Sequence, residues 1–584
     1  MSAVSGPCFL ATPRSTLYGI LDLPSPDTPT GSAVLLCAPW GWDEVASYRS
    51  RKRWAERLAA RGHPTLRFDL PATGNSEGAP GDAGLPETWL ASIAAAAEWL
   101  REATAAPRVA ALGLGLGGLL AREACSRGAA IEELITWAAP ATGKAFVRET
   151  RAFSRMQEWH GEDAEALPEG AIEAGGFVLS AATIAALREL PGGLPAPAGP
   201  RRALLLGRDG VAADGIRDDL EAAGVEVSVG AGSGWGDLVV HPERTRLSGE
   251  VASEVEDWLA SGEGVSPGAS AGGTGVTRAE RAAELDVGEG AVRESTWSSQ
   301  VPLGRLVGVL CEPVGQQAGD VCAVFLNAGA VRSTGPNRLW VEMARRLARQ
   351  GVRSLRVDLA GIGESDGDES RLRQVSEFYV PAFDGQVGAV LDELEGRHGV
   401  ERFFLVGLCA GGFWSFRAAQ RDRRVLGALL LNAGALTWHS QLLADREARK
   451  VARAIDRRWL RKLLRGEIRL ARLLALSAAL VTKLGRTVRG KLTRSEPTGS
   501  DIGEELSRLE DGTLLTMAFS GDEALEAELR AQGVTTRLES WPNVTLGRLP
   551  GSDHTLRPIP AQRAAQALVG EQIERFLASA EPIA

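Results

Sequence analysis

The chain has 584 residues, a net charge of −9 and a hydrophobic fraction of 44%. That length exceeds what one hydrophobic core fills, so two or more domains are expected, and the composition excludes a disordered or fibrous chain. The modest acidity argues against a nucleic-acid binder. The six cysteines lack metal-ligand spacing, and the start, MSAVSGPCFLATPRS, lacks a basic stretch followed by an apolar run; both point to a reduced, cytoplasmic protein with no metal site.

In chain order, residues 33–41 (AVLLCAPWG) read as an apolar strand ending in a loop, and residues 53–59 as a helix. A second strand runs into the turn Asp69-Leu70-Pro71-Ala72-Thr73-Gly74-Asn75-Ser76. A helix and a third strand lead to the glycine-rich turn 113–118 (GLGLGG). An insertion, 142–200, precedes the strand that ends at Asp209. A further loop, 232–237, reads GSGWGD. Residues 261–291 open as a Gly/Ser/Ala stretch and stay polar, which predicts a flexible linker.

The same order then recurs. Residues 322–330 (CAVFLNAGA) are a strand and loop, 343–348 a helix, 354–365 (SLRVDLAGIGES) a strand and turn, and 403–412 (FFLVGLCAGG) a strand entering a glycine-rich turn. Equivalent points stay nearly constant in spacing, 289 residues from Asp69 to Asp358 and 294 from Gly115 to Cys409. Alternating strands and helices build a doubly wound, mostly parallel sheet. The expected organisation is therefore a domain over 1–260, the linker over 261–291 and a second domain over 292–584. In the second, Gly407-Leu408-Cys409-Ala410-Gly411 has the pattern of a nucleophile elbow, with sulfur where serine oxygen is usual. The flanking glycines let strand and helix backbones approach closely. A buried cysteine in a βα turn is the competing reading.

On these motifs each half resembles an α/β-hydrolase domain. The Asp-Leu-x-x-x-Gly-x-Ser turn is similar to that of lipase, esterase and serine-aminopeptidase-like members. The second half is also similar to Cys-nucleophile α/β hydrolases, and polyester synthases share the Gly-x-Cys-x-Gly box locally. The resemblance implies two tandem α/β-hydrolase-type domains, each with a helical lid insertion. It also implies the chain order nucleophile, acid, histidine. Cys409, Asp522 and His554 meet that order: Asp522 closes the strand 514–522, and His554 lies in the glycine-rich loop 549–555. Glu523 and Asp553 are rivals for the acid. The family's oxyanion donors fall on the backbone N–H groups of Ala410 and Ala328. A helix starting after Cys409 favours the thiolate. No cofactor is implied.

The first half fails the same search. Gly115 stands at the nucleophile position, Trp235 aligns with His554, and Asp209 mimics the acid; His241 is reached only by a shifted alignment. This half is expected to be a pseudo-enzyme that packs against the second domain, covers its site or holds a substrate.

The second insertion, about 438–500, corresponds to the lid. Between positions 446 and 494 it carries 16 Lys and Arg against three acidic residues. Leu460, Leu463, Leu464 and Ile468 share one helical face, with Arg461, Arg465, Arg469 and Arg472 in a stripe of their own. Three readings compete: a solvated basic face, a dock for a carrier protein or coenzyme A bearing an acyl group, and peripheral contact with an anionic membrane surface. Nucleic acid is disfavoured, because no aromatic residues interleave with the charge.

The expected activity is that of a hydrolase or acyltransferase acting on an ester or thioester through acyl-Cys409. The alternative is a non-catalytic module binding acyl chains or a protein.

Overall fold

The computed structural model describes residues 5–28, 31–156, 167–192, 199–211, 214–262, 279–288, 290–316, 318–437 and 501–579. The strands of the first half are β1 (Gly6–Ala11), β2 (Thr16–Asp22), β3 (Ala33–Cys37), β4 (Thr65–Phe68), β5 (Val109–Leu114), β6 (Glu133–Trp137), β7 (Ile172–Ala174), β8 (Phe177–Leu179), β9 (Arg202–Leu206), β10 (Glu226–Gly230) and β11 (Ala279–Glu280). The second half supplies β12 (Ala282–Asp286), β13 (Ala291–Val301), β14 (Gly304–Pro313), β15 (Val321–Leu326), β16 (Arg353–Asp358), β17 (Arg402–Leu408), β18 (Val425–Leu431), β19 (Leu514–Ser520) and β20 (Val544–Leu549).

One sheet runs β10-β9-β6-β5-β3-β4-β2-β1-β11, and the other β12-β13-β14-β16-β15-β17-β18-β19-β20. Apart from the edge strands β11 and β12, the two orders are the same. In each, the early strands (β1 and β2, β13 and β14) pair antiparallel on both sides, and from β4 or β16 onward the neighbours are parallel. Parallel strands are covered on both faces, so they read as unbroken apolar runs: every residue of β3, β5 and β15 is buried. Each sheet accordingly has one hydrophobic cluster per face.

The fold corrects the predicted linker. Residues 279–286, assigned to it by composition, form β11 and β12, and β13 begins at Ala291. The segment Asp286-Val287-Gly288-Glu289-Gly290-Ala291 supplies the reason. Gly288 and Gly290 adopt positive φ, closing a hairpin that pairs β12 with β13. Residues 263–278 lie outside the described residues.

The first insertion is a helix (Gly143–Met156), the β7–β8 hairpin and a second helix (Ala181–Arg188). The expected basic lid, 438–500, lies outside the described residues. Among the described residues no helix is long and apolar enough to cross a membrane.

The halves meet through buried charge. Arg67 holds Glu364 with two bonds of 2.7 and 2.9 Å, and Tyr48 donates to the same carboxylate. In return Arg356 reaches Asn75 at 3.2 Å. Arg67 and Arg356 are 289 residues apart, as are Asn75 and Glu364. The same patch of each repeat therefore faces the other, as in a twofold dimer. Arg338 and Arg345 add bonds to backbone carbonyls of Gly74, Asn75 and Ser76.

Candidate active site

The site is assembled where β17 ends. Cys409 follows it with φ 58° and ψ −116°, and the helix Ala410–Ala419 starts at the next residue. A non-glycine residue there costs of order 1–3 kcal/mol, which the surroundings must sustain. They do so through glycine: a Cβ at Gly407 would overlap the Gly411 backbone, and one at Gly411 would overlap the carbonyl of Asn327. The Cys409 N–H donates to Leu431 O at 3.0 Å, fixing the elbow to β18.

His554 hydrogen-bonds the Cys409 sulfur, and its Nδ1 lies 3.0 Å from Glu523 Oε2. Burial opposes a charged ring, but the sulfur and then the Glu523 carboxylate outweigh it and push the His554 pKa up to about 10. The ring is thus favoured in its charged form beside the sulfur. The loop bearing His554 is tied down by Asn432, whose Nδ2 donates to His554 O at 2.9 Å and to Ser520 Oγ at 2.8 Å. Ser520 Oγ in turn donates to Asp553 O.

Cys409 and His554 are therefore brought together, whereas the acid differs from the expected one. Glu523 meets the imidazole. Gly521 turns the chain through φ 64° as it leaves β19 and packs against Ser552 of the histidine loop. Asp522 is left exposed, and the longer Glu523 side chain, at the start of the helix Ala524–Ala531, reaches back to the ring. Asp553 is engaged by Arg557 and Thr555 instead.

The expected oxyanion donors lie on adjacent segments. Ala410 is the first residue of its helix, so its N–H has no intrahelical acceptor. Ala328 lies two residues past β15, which pairs with β17 so that Leu326 faces Gly407. Asn327 anchors this loop: its Nδ2 donates to Val331 O and to Asp358 Oδ1, and its Oδ1 accepts from Leu359 N.

Sequence reasoning missed two further residues. The Tyr379 hydroxyl lies 3.9 Å from the Cys409 sulfur, with its ring against Phe413. Only three tyrosines occur in the chain, and one in the polar segment before a helix was a usable signal. Asn432, at φ 45° directly after β18, carried no local sequence mark.

In the first half the elbow survives without a nucleophile. Gly115 has φ 51° and ψ −123°, close to the angles of Cys409. A Cβ there would meet Pro39 at 3.4 Å and the Trp235 indole at 3.5 Å. Asp209 accepts from the backbone N–H groups of Gly234, Trp235 and Gly236 rather than from a ring. His241 pairs with Glu243 and rests against Trp42. A cavity of about 690 Å³ remains above Gly115, walled by Trp40, Trp42, Phe146 and Trp235. Among the described residues no group of three or more His, Cys, Asp or Glu side chains is arranged to hold a metal ion.

The sequence model described as serine aminopeptidase, S33, matches residues 336–481 of this chain. No curated protein matches the sequence. Similar solved structures include an α/β serine hydrolase without a lid from Xanthomonas campestris, 13% identical, covering 48% of this chain and 94% of its own, with a TM-score of 0.29. Dienelactone hydrolase from Anabaena variabilis is 14% identical, covers 49% and 98%, and scores 0.31. An esterase from Pyrococcus furiosus is 15% identical, covers 48% and 90%, and scores 0.32.

Proposed function

We propose that the chain is built from two α/β-hydrolase folds and that its second half is a cysteine-dependent hydrolase or acyltransferase acting on an ester or thioester. The observation that carries this reading is the line Cys409–His554–Glu523, with a 3.0 Å contact between base and acid. The serine aminopeptidase match, which spans the elbow, supports the reaction class.

The steps follow from the residues. The Cys409 thiolate attacks the acyl carbon, and a C–S bond forms as the carbonyl electrons move to oxygen. The N–H groups of Ala410 and Ala328 are the donors for that oxyanion. On collapse the bond to the leaving group breaks, and the imidazolium of His554 gives that group its proton. Glu523 keeps the ring oriented and stabilises its charge. Neutral His554 then takes a proton from water, an alcohol or an amine, which attacks the acyl-Cys409 thioester and releases the thiolate. Thioesters react readily with amines, so transfer competes with hydrolysis.

The first half has a non-catalytic role, since Gly115 offers no side chain and Trp235 aligns with His554. The two halves divide between β11, which pairs in the first sheet, and β12, which pairs in the second. The acyl group is carried as a simple ester, on coenzyme A or on a carrier protein, with the basic segment 446–494 as the anion-binding element; an anionic membrane surface is that segment's second candidate partner.

A panel of chromogenic esters and acyl-thioesters, read by product release and intact mass, tests the reading. The expected result is turnover and an acyl adduct on the wild-type protein, both lost in Cys409→Ala. Neither turnover nor adduct, with the variant indistinguishable, would replace it with a non-catalytic binding role.

A further inference from the structure

The loop that carries Ala328 is gripped from outside its own domain. Val331 N donates to Ala328 O at 3.2 Å, closing a tight turn over 328–331. Gly329 sits inside it at φ 59°. The first half reaches this turn at two points. The Ala330 N–H faces the carboxylate of Glu243, and Glu243 Oε1 lies 3.1 Å from where a Gly329 Cβ would stand. One residue past the turn, Arg332 is held by Asp69 at 2.8 and 3.1 Å and by Glu44 at 3.2 Å.

Glu243 is itself fixed. Its side chain is mostly buried, and it pairs with His241, whose ring packs against Trp42. Nearby, Thr245 Oγ1 donates to Leu238 O and bonds the Ser50 hydroxyl. The first half therefore presents an acceptor to this four-residue turn, and that turn sets the direction of the Ala328 N–H.

We propose that Glu243 is a positioning residue for the second half's oxyanion site: the first half acts as a clamp that orients the Ala328 donor. The proposal rests on the reading of Cys409 as an acyl-accepting nucleophile. It gives the first half a reason to persist beside an active partner although its own elbow lacks a nucleophile. Oxyanion donors act only when aimed at the developing charge, and a misplacement near 1 Å costs about 10²-fold in rate.

The test separates two reactions of one sulfur. Acylation by a p-nitrophenyl ester develops an oxyanion, whereas alkylation by iodoacetamide does not. Full-length Glu243→Ala is expected to acylate about 10- to 100-fold more slowly, with KM little changed and alkylation within about twofold of wild type. Glu243→Gln keeps an acceptor for Ala330 N–H and is expected to stay within about threefold. Hydrogen exchange over 327–331 is expected to quicken in Glu243→Ala alone. Wild-type acylation in Glu243→Ala, or a parallel fall in acylation and alkylation, would overturn the clamp. If the wild-type protein is alkylated but accepts no ester, the acyl-transfer reading fails; unchanged exchange over 327–331 in Glu243→Ala would then overturn the clamp as well.

Discussion

Replacing Glu523 by Gln keeps the shape of the side chain and removes the charge that faces His554. The carboxylate lies 3.0 Å from Nδ1, with side-chain exposures of 12% for Glu523 and 36% for His554. Two unit charges about 4 Å apart interact by about 4 kcal/mol at an effective dielectric constant near 20. Water at the exposed edge of the imidazole screens part of that, leaving about 2 kcal/mol. At 1.4 kcal/mol per factor of ten, acylation of Cys409 in Glu523→Gln should slow about 30-fold. Asp522 is exposed, so Asp522→Asn should stay within about threefold. The measurement is the single-turnover release of p-nitrophenol, followed from neutral to alkaline pH. The His554 pKa is raised in the folded chain, so the ion pair's stabilisation is complete below about 6.5 and is lost as pH rises through about 10. Without the Glu523 charge that alkaline limb should move to lower pH. A larger loss in Asp522→Asn, or an unmoved alkaline limb in Glu523→Gln, would refute the assignment of the acid.

Three further outcomes are expected. Arg67→Met leaves Glu364 buried without its ion pair, which should cost about 3–5 kcal/mol in the urea midpoint analysis. Because Arg67 and Tyr48 help hold the Glu364 pKa far below its usual value, that stabilisation is present above about pH 4.3 and is lost as pH falls below it, so an acid titration should show the wild type and the variant converging. Gly115→Cys should fold at a cost of about 1–3 kcal/mol for its positive φ, the new Cβ meeting Pro39 at 3.4 Å and Trp235 at 3.5 Å, yet in a Cys409→Ala background it should not turn over an ester; turnover there would show that the first half lacks only its nucleophile. Gly407→Ala drives a methyl into the Gly411 backbone and should abolish soluble expression, whereas a stable, active variant would contradict the tight elbow.

The repeat was readable because parallel strands buried on both faces leave unbroken apolar runs, as in β3, β5, β15 and β17. The elbow was readable because steric exclusion at Gly407 and Gly411 admits one residue type, and steric constraints of that kind are local. The hairpin of β12 and β13 was hidden inside a polar stretch, because an edge strand pairs through its backbone and need not be apolar. The carboxylate that meets His554 is that of Glu523, one position past the expected Asp522. Asp522 and Glu523 are equally acidic in sequence, and only the left-handed turn at Gly521 decides which of them faces His554.

By itself the sequence determined the duplicated doubly wound order, the elbow at Cys409, the histidine at His554 and the missing side chain at Gly115, since each is written in local periodicity or in one residue's identity. Only the tertiary structure decided that Glu523 holds the base, that Tyr379 and Asn432 stand at the site, and that Arg67, Glu364, Arg332 and Glu243 join the two halves. Those contacts join residues far apart in the chain, 297 positions for Arg67 and Glu364, and no local pattern encodes which distant partner a buried charge will meet.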